Sequence, residues 1–179
     1  MNTEIDMMDL DLLNLEHIVR GIDLTLASLQ RDTSWNEGAR DLADYWSGVG
    51  FVACQKYLVA VTARADVERR QALDAGPRLN GGSTVVSIIN AAANAWKHES
   101  EWLEEGQRSL NDGREEPENR RRDQALDALG LALGEYDWEY KFANTLYALC
   151  GEVAFSPLMS HLTQWRDVLF AAQSLQNFD

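Results

Sequence analysis

Residues 81–105 read GGSTVVSIINAAANAWKHESEWLEE. The Gly81-Gly82 pair makes a turn and Ser83 is a good N-cap residue. Val85, Ile89, Ala92, Trp96 and Leu103 then recur at spacings close to 3.6, so a helix is expected to begin near Thr84 with this face in a core. The opposite register carries Asn90, Asn94, Lys97, His98, Glu101 and Glu105, which the same spacing stacks along a second face. An apolar stripe back to back with a polar, titratable one is the signature of a helix lying between a core and something else.

The rest of the chain has the same character. The sequence contains 179 residues, 45% of them apolar, which suits one domain able to bury roughly 70% of its unfolded surface. Only three prolines occur, Pro77, Pro117 and Pro157, and long runs of Ala, Leu, Glu, Gln and Arg separate the glycines. The expected fold is an all-α, single-domain bundle of five or six helices over residues 1–179, with a mobile loop at about 106–119.

Before residue 81, Thr3 is positioned to cap a first helix. In it Ile5, Met8, Leu12, Leu15, Val19, Ile22, Leu26 and Leu29 alternate spacings of three and four. Asp9, Glu16 and Asp23 flank this seam on one side and Glu4 and Asp11 on the other, so pairing two copies through it would set acid against acid. His17 shares a column with Leu10 and Leu24. Ser34 is read as the cap of a second helix starting near Trp35. That helix is apolar on more than one side and therefore central, with Trp46 on its seam expected to make dense contacts. Gly48 and Gly50 inside it disfavour helix by about 1 kcal/mol each relative to Ala, which close approach of a neighbouring helix would offset. The pattern fades from Arg64 to Asp74 and ends in a loop.

After residue 105, helical pattern resumes through Ala125, Leu126, Leu129 and Leu133 and again through Trp138, Phe142, Leu146 and Leu149, as two shorter helices. Ser156 and Pro157 open a last helix that buries Leu158, Leu162, Trp165, Leu169 and Ala172.

Sixteen basic and twenty-nine acidic residues give a net charge of -13, which disfavours nucleic acid and anionic membranes as partners. Arg114, Arg120, Arg121 and Arg122 are interleaved with acids and form no basic patch. Cys54 and Cys150 stand alone in apolar helical surroundings and read as free thiols. No stretch is apolar for long enough to span a membrane, and no basic segment followed by an apolar run opens the chain, so the expected compartment is the cytoplasm.

The chain carries none of the common phosphate-loop, dinucleotide, zinc-protease or nucleophile-elbow motifs. A di-iron carboxylate site needs Glu three residues before His, whereas Asn14, Ala95 and Leu158 precede His17, His98 and His161. His98 and Glu101 make two metal donors on one turn where three or four are needed. No metal and no cofactor is expected. General acid/base chemistry is the reaction class that remains: His98 transferring a proton, Lys97 stabilising developing negative charge and Asn94 orienting a donor.

The segment Asn94-Ala95-Trp96-Lys97-His98, followed by Glu101-Trp102, resembles a pattern in uncharacterised bacterial all-α proteins. These are distantly similar to the helical HEPN ribonucleases of toxin and phage-defence systems. The resemblance implies an all-α fold and a His98 that acts on RNA 2′-hydroxyl chemistry. HEPN ribonucleases carry an Arg and a polar residue a few positions before that His, where this chain has Ala91, Ala92 and Ala93.

Two functions of different class are therefore expected. The first is a binding or regulatory protein, such as an inhibitor, immunity protein or antitoxin-like partner, whose acidic surface speeds association with a basic protein. Asp9, Glu16, Asp23, Glu101 and Glu105 are the residues expected to meet that partner. The second is a HEPN-like ribonuclease or an inactive relative, with His98, Lys97 and Asn94 as its site. The oligomeric state is left open.

Overall fold

The computed structural model describes residues 7–31, 36–79, 82–111, 119–133 and 139–176. They form seven helices and no strand: α1 (Met7–Arg31), α2 (Glu37–Arg64), α3 (Arg69–Asp74), α4 (Val85–Asn111), α5 (Arg120–Leu133), α6 (Lys141–Cys150) and α7 (Leu158–Gln176). The all-α class is as expected, with one helix more than the upper expectation. The addition is α3, six residues long where the apolar pattern fades, too short for a periodic signal to register. The calls on Thr3, Ser34 and Trp35 fall outside the described residues. Within them, Asn36 caps α2, its side-chain oxygen accepting from the Ala39 N–H at 3.0 Å.

Helix α2 packs against α1, α4 and α6 and is the centre of the bundle. The α1 seam is its partner: Leu15, Val19, Ile22 and Leu26 are buried, with Leu12 and Leu29 packed beside them. Trp46 packs against the core but is only partly buried. It lies at the edge of the buried face, half-buried against Tyr45, while Phe51, Cys54, Leu58 and Val61 lie fully inside. The close approach anticipated at the two glycines is present. A Cβ on Gly48 would fall 1.8 Å from Cδ1 of Trp96, and one on Gly50 would fall 2.3 Å from the Phe155 ring.

Helix α4 changes character along its length. From Val85 to Ala95 it is buried on almost every side, so this half threads the core. The cap is Thr84, not Ser83: its hydroxyl accepts from Ser87 N–H at 3.1 Å and donates to the Leu73 carbonyl. Leu103, expected in the core, is 68% exposed: it stands on the open rim between α4 and α5, beside Arg122 and Leu126. The helix continues through residues 106–111 into the expected mobile loop. Arg108 pairs with Glu104 at 2.9 Å and Gln107 donates to Asn111 at 3.1 Å, so this last turn is supported by side chains one turn apart without burial. Residues 112–118 of that call lie outside the described residues.

Two half-buried carboxylates, one on α1 and one on α2, fasten distant segments by accepting backbone N–H groups. Asp23 on α1 accepts from Phe155 at 2.6 Å and Ser156 at 2.9 Å and also receives the Ser156 hydroxyl, so that hydroxyl is a donor to α1. Asp44 on α2 accepts from Phe142 at 2.7 Å and Ala143 at 2.9 Å, capping α6 from outside its own chain segment. Burial holds the Asp44 carboxyl above the usual aspartate range, against the opposing pull of the two N–H groups and Lys141.

Two stability predictions follow from these contacts. Gly48→Ala should destabilise by about 2 kcal/mol or more in denaturant unfolding, since the clash with Trp96 outweighs the helix-propensity gain; an unchanged midpoint would mean α2 and α4 do not touch there. For Asp44, a folded-state pKa above the unfolded one means the native state binds the proton first. Its contribution to stability therefore falls as pH rises through that interval and stays low above it. Asp44→Asn keeps the oxygen that caps α6 without the buried charge, and should be neutral or stabilising by up to about 1 kcal/mol at pH 7, an advantage that vanishes below about pH 4. Asp44→Ala should lose about 1–2 kcal/mol at pH 7. Thermal unfolding of both variants across pH checks the sign.

Candidate functional site

The polar face of α4 is half-covered at Asn90 and Asn94 and opens to solvent from Lys97 to Glu101. Along it Asn90, Asn94 and Lys97 recur at helical spacing, and opposite them α2 presents Gln55, a buried polar residue on an otherwise apolar face. The Gln55 amide nitrogen donates to Asn90 Oδ1 at 2.8 Å and Asn94 Oδ1 at 2.9 Å, and lies 3.4 Å from the Asn90 carbonyl. Its oxygen accepts from Lys97 Nζ at 2.7 Å. One buried amide thus sets the orientation of three side chains on the facing helix. Helical periodicity does not single out Gln55. Its signal was there, a lone amide between Cys54 and Tyr57 on the buried side of a central helix.

From the other side comes Arg69, whose guanidinium donates to Asn90 Oδ1 at 2.7 Å. It sits at the start of α3, and α3 is fastened at its far end twice over. Trp165 on α7, fully buried, donates its indole N–H to the Ala72 carbonyl at 2.7 Å, and Thr84 donates to Leu73. Helix α5 supplies the remaining wall. Asn119 caps it, accepting from Arg122 N–H at 3.1 Å, and donates to Glu105 on α4 at 3.3 Å.

Together α3, α4 and α5 enclose an open cleft of about 570 Å³ lined by Arg69, Asn90, Asn94, Lys97, His98 and Trp102, with Ser87, Gln124 and small apolar residues between them. All three residues of the acid/base expectation, Asn94, Lys97 and His98, line this one cleft. His98 is not drawn inward to lock α4 to a neighbour. Its side chain is 45% exposed, its Nδ1 is 2.9 Å from Oε2 of Glu101, itself 70% exposed, and its ring stacks on Trp102 at 6.0 Å. Trp96, on the far side, belongs to the core contact with Gly48.

No protein-family model, curated protein or solved structure matches the chain.

The acids expected to meet a partner are dispersed. Glu16 is exposed on α1, and Glu101 is exposed but engaged with His98. Asp23 is taken up by the α6–α7 connection and Glu105 by Asn119. The side chain of Asp9 lies outside the described residues. Among the described residues, no three His, Cys, Asp or Glu side chains gather closely enough to hold a metal ion, and no helix is long and apolar enough to cross a membrane. Both cysteines are free: burial pushes the Cys54 thiol far up and the half-buried Cys150 thiol up to about 12, so neither is a ready nucleophile.

The charge inside the cleft opposes that of the whole chain. Among the described residues no Asp or Glu lines it, and neither Arg69 nor Lys97 has a described carboxylate within ion-pair distance. Each satisfies part of its donor capacity on amide oxygens and keeps further N–H groups for a ligand.

Removing Gln55 and removing His98 should therefore have unlike effects. Gln55→Leu leaves Lys97 and two asparagines without their buried partner, and should lower stability by about 2 kcal/mol. His98→Ala should change it by less than about 0.5 kcal/mol, as for an exposed pair within one helix. Denaturant unfolding of the two variants side by side checks the contrast.

Proposed function

We propose that this chain is a binding or regulatory protein, without catalytic activity of its own, whose α3–α4–α5 cleft takes a small organic anion. The observation that supports this most is a cleft holding Arg69 and Lys97, with no carboxylate among its described lining residues, in a chain of net charge -13. A negative surface raises the energetic contrast of such a spot and excludes large polyanions while admitting a small one. The amides of Asn90 and Asn94 are held by Gln55 and offer orientation, and the stacked pair of His98 and Trp102 offers a flat wall for a ring. A phosphate or carboxylate carried on an aromatic or heterocyclic ring is the ligand class this fits. Within the binding-protein class, a small anion suits the cleft better than a basic protein suits the acids. Two of those acids, Asp23 and Glu105, already hold the fold together.

A second reading rests on the same convergence. His98, Lys97 and Asn94 share a concave site, and Glu101 on Nδ1 leaves Nε2 as the second ring nitrogen for proton transfer. Ribonuclease chemistry of the HEPN kind would use His98 in that way, with Arg69 taking the phosphate.

Calorimetric titration with nucleoside monophosphates and aromatic carboxylates separates the two. The binding reading expects saturable association that weakens as salt is raised, and that Lys97→Met and Arg69→Met each reduce by about ten-fold or more. Association unaffected by either variant would remove the cleft from the account. Cleavage of short RNA by the wild type but not by His98→Ala would favour the second reading.

A further inference from the structure

Helix α1 is apolar on two opposite faces, and the described residues of its own bundle cover only one. The seam of Leu15, Val19, Ile22 and Leu26 is buried against α2. Directly across the helix, Leu10, His17 and Leu24 form a single column, with Leu13 beside it and Ile18 on one flank. These side chains face solvent: Leu10 is 39% exposed, Leu13 56%, Ile18 51% and Leu24 63%. On the other flank of the column stand Glu16 and Arg20, both exposed. At Gly21, within the stripe, a Cβ would meet nothing within 4 Å, so the helix surface has a notch there open to solvent.

This stripe is complementary to itself when reversed. Leu10 and Leu24 stand two turns either side of His17, so a two-fold axis at His17 lays Leu10 of one helix level with Leu24 of an antiparallel copy. Antiparallel pairing joins like flanks, which brings Ile18 beside its own mate and Glu16 within about 3 Å of axial offset from Arg20 of the second helix, twice per pair. Parallel pairing would instead join unlike flanks and leave Glu16 and Arg20 without opposite charges to meet. The charge pattern therefore selects both the partner and its direction.

We propose that two copies of this chain associate through the outer face of α1, antiparallel about His17, with reciprocal Glu16–Arg20 pairs. This goes beyond the ligand reading and does not depend on it, since α1 contributes nothing to the cleft. It also differs from pairing through the seam, where acid would meet acid and where α2 already sits. Two helices crossing over this length bury on the order of 1,000 Å² in total, at the low end of specific interfaces, so association is expected in the micromolar range.

Analytical ultracentrifugation of the full chain from about 1 to 300 µM tests it. The wild type should pass from monomer to dimer over that range, and a monomer throughout overturns the proposal. Leu24→Glu, at an exposed position, should keep the far-ultraviolet dichroism and melting temperature of the wild type and abolish the dimer. Glu16→Arg and Arg20→Glu each place like charges together twice, and should raise the dimer Kd by about ten-fold or more. The double variant Glu16→Arg with Arg20→Glu exchanges the partners and should recover the wild-type Kd within about three-fold. A dimer indifferent to all four changes, or a double variant no better than the single ones, also overturns it.

Discussion

Backbone approach between α2 and α4 is the constraint on which the rest of the structure depends. Gly48 has no side chain, and the Trp96 indole occupies the place where one would be. Gly50 does the same for Phe155. A glycine in a helix interior disfavours helix by about 1 kcal/mol relative to Ala, and here aromatic burial offsets that loss. The short interhelical distance has a second effect two turns further along α2. It lets Gln55 reach Asn90, Asn94 and Lys97 directly, without a gap that water would have to fill. Packing on one side of α4 and polar order on the other are thus consequences of the same approach.

The excess of acid is distributed by the fold into separate tasks. Asp23 and Asp44 lie on the two longest-ranging attachments, gripping N–H groups at the start of α7 and α6. Glu99 pairs with Lys141 beneath α6, and Glu105 joins α4 to the cap of α5. Asp11 pairs with Arg64 across α1 and α2. What this leaves is a cleft in which Arg69 and Lys97 face amides in place of carboxylates. Net charge describes the long-range field of a protein, and the local field of a site is set by which charges its neighbours have already taken.

Arg69 illustrates how a short element can be made precise by its attachments. Six residues of helix are far below the length at which a helix is stable by itself. The indole of Trp165 and the hydroxyl of Thr84 both bond carbonyls at the end of α3, groups that a helix C-terminus leaves free. The loop after α3 is closed in turn by Arg78, which donates to the Asp74 carbonyl at 3.0 Å and to the Gly82 carbonyl at 2.6 Å. The guanidinium at the other end of α3 is held in place by a hydroxyl and an indole outside the helix itself.

Periodicity alone determined the all-α class, the α1 seam, the central place of the second helix and the two-faced character of α4. Each is a repeat of apolar side chains long enough to be read against the helical period, and a repeat survives any arrangement of neighbours. The grouping of Asn94, Lys97 and His98 was legible for the same reason, since one helix carries all three. The sequence could not reveal α3, because one and a half turns carry no period. Nor could it reveal Leu103 standing in solvent, because periodicity places a residue on a face of α4 and does not say which part of that face a neighbouring helix covers. The roles of Gln55, Arg69, Asp23 and Asp44 were decided only by the tertiary structure. Each acts on residues far along the chain, through a single hydrogen-bonded group whose partner no local pattern specifies.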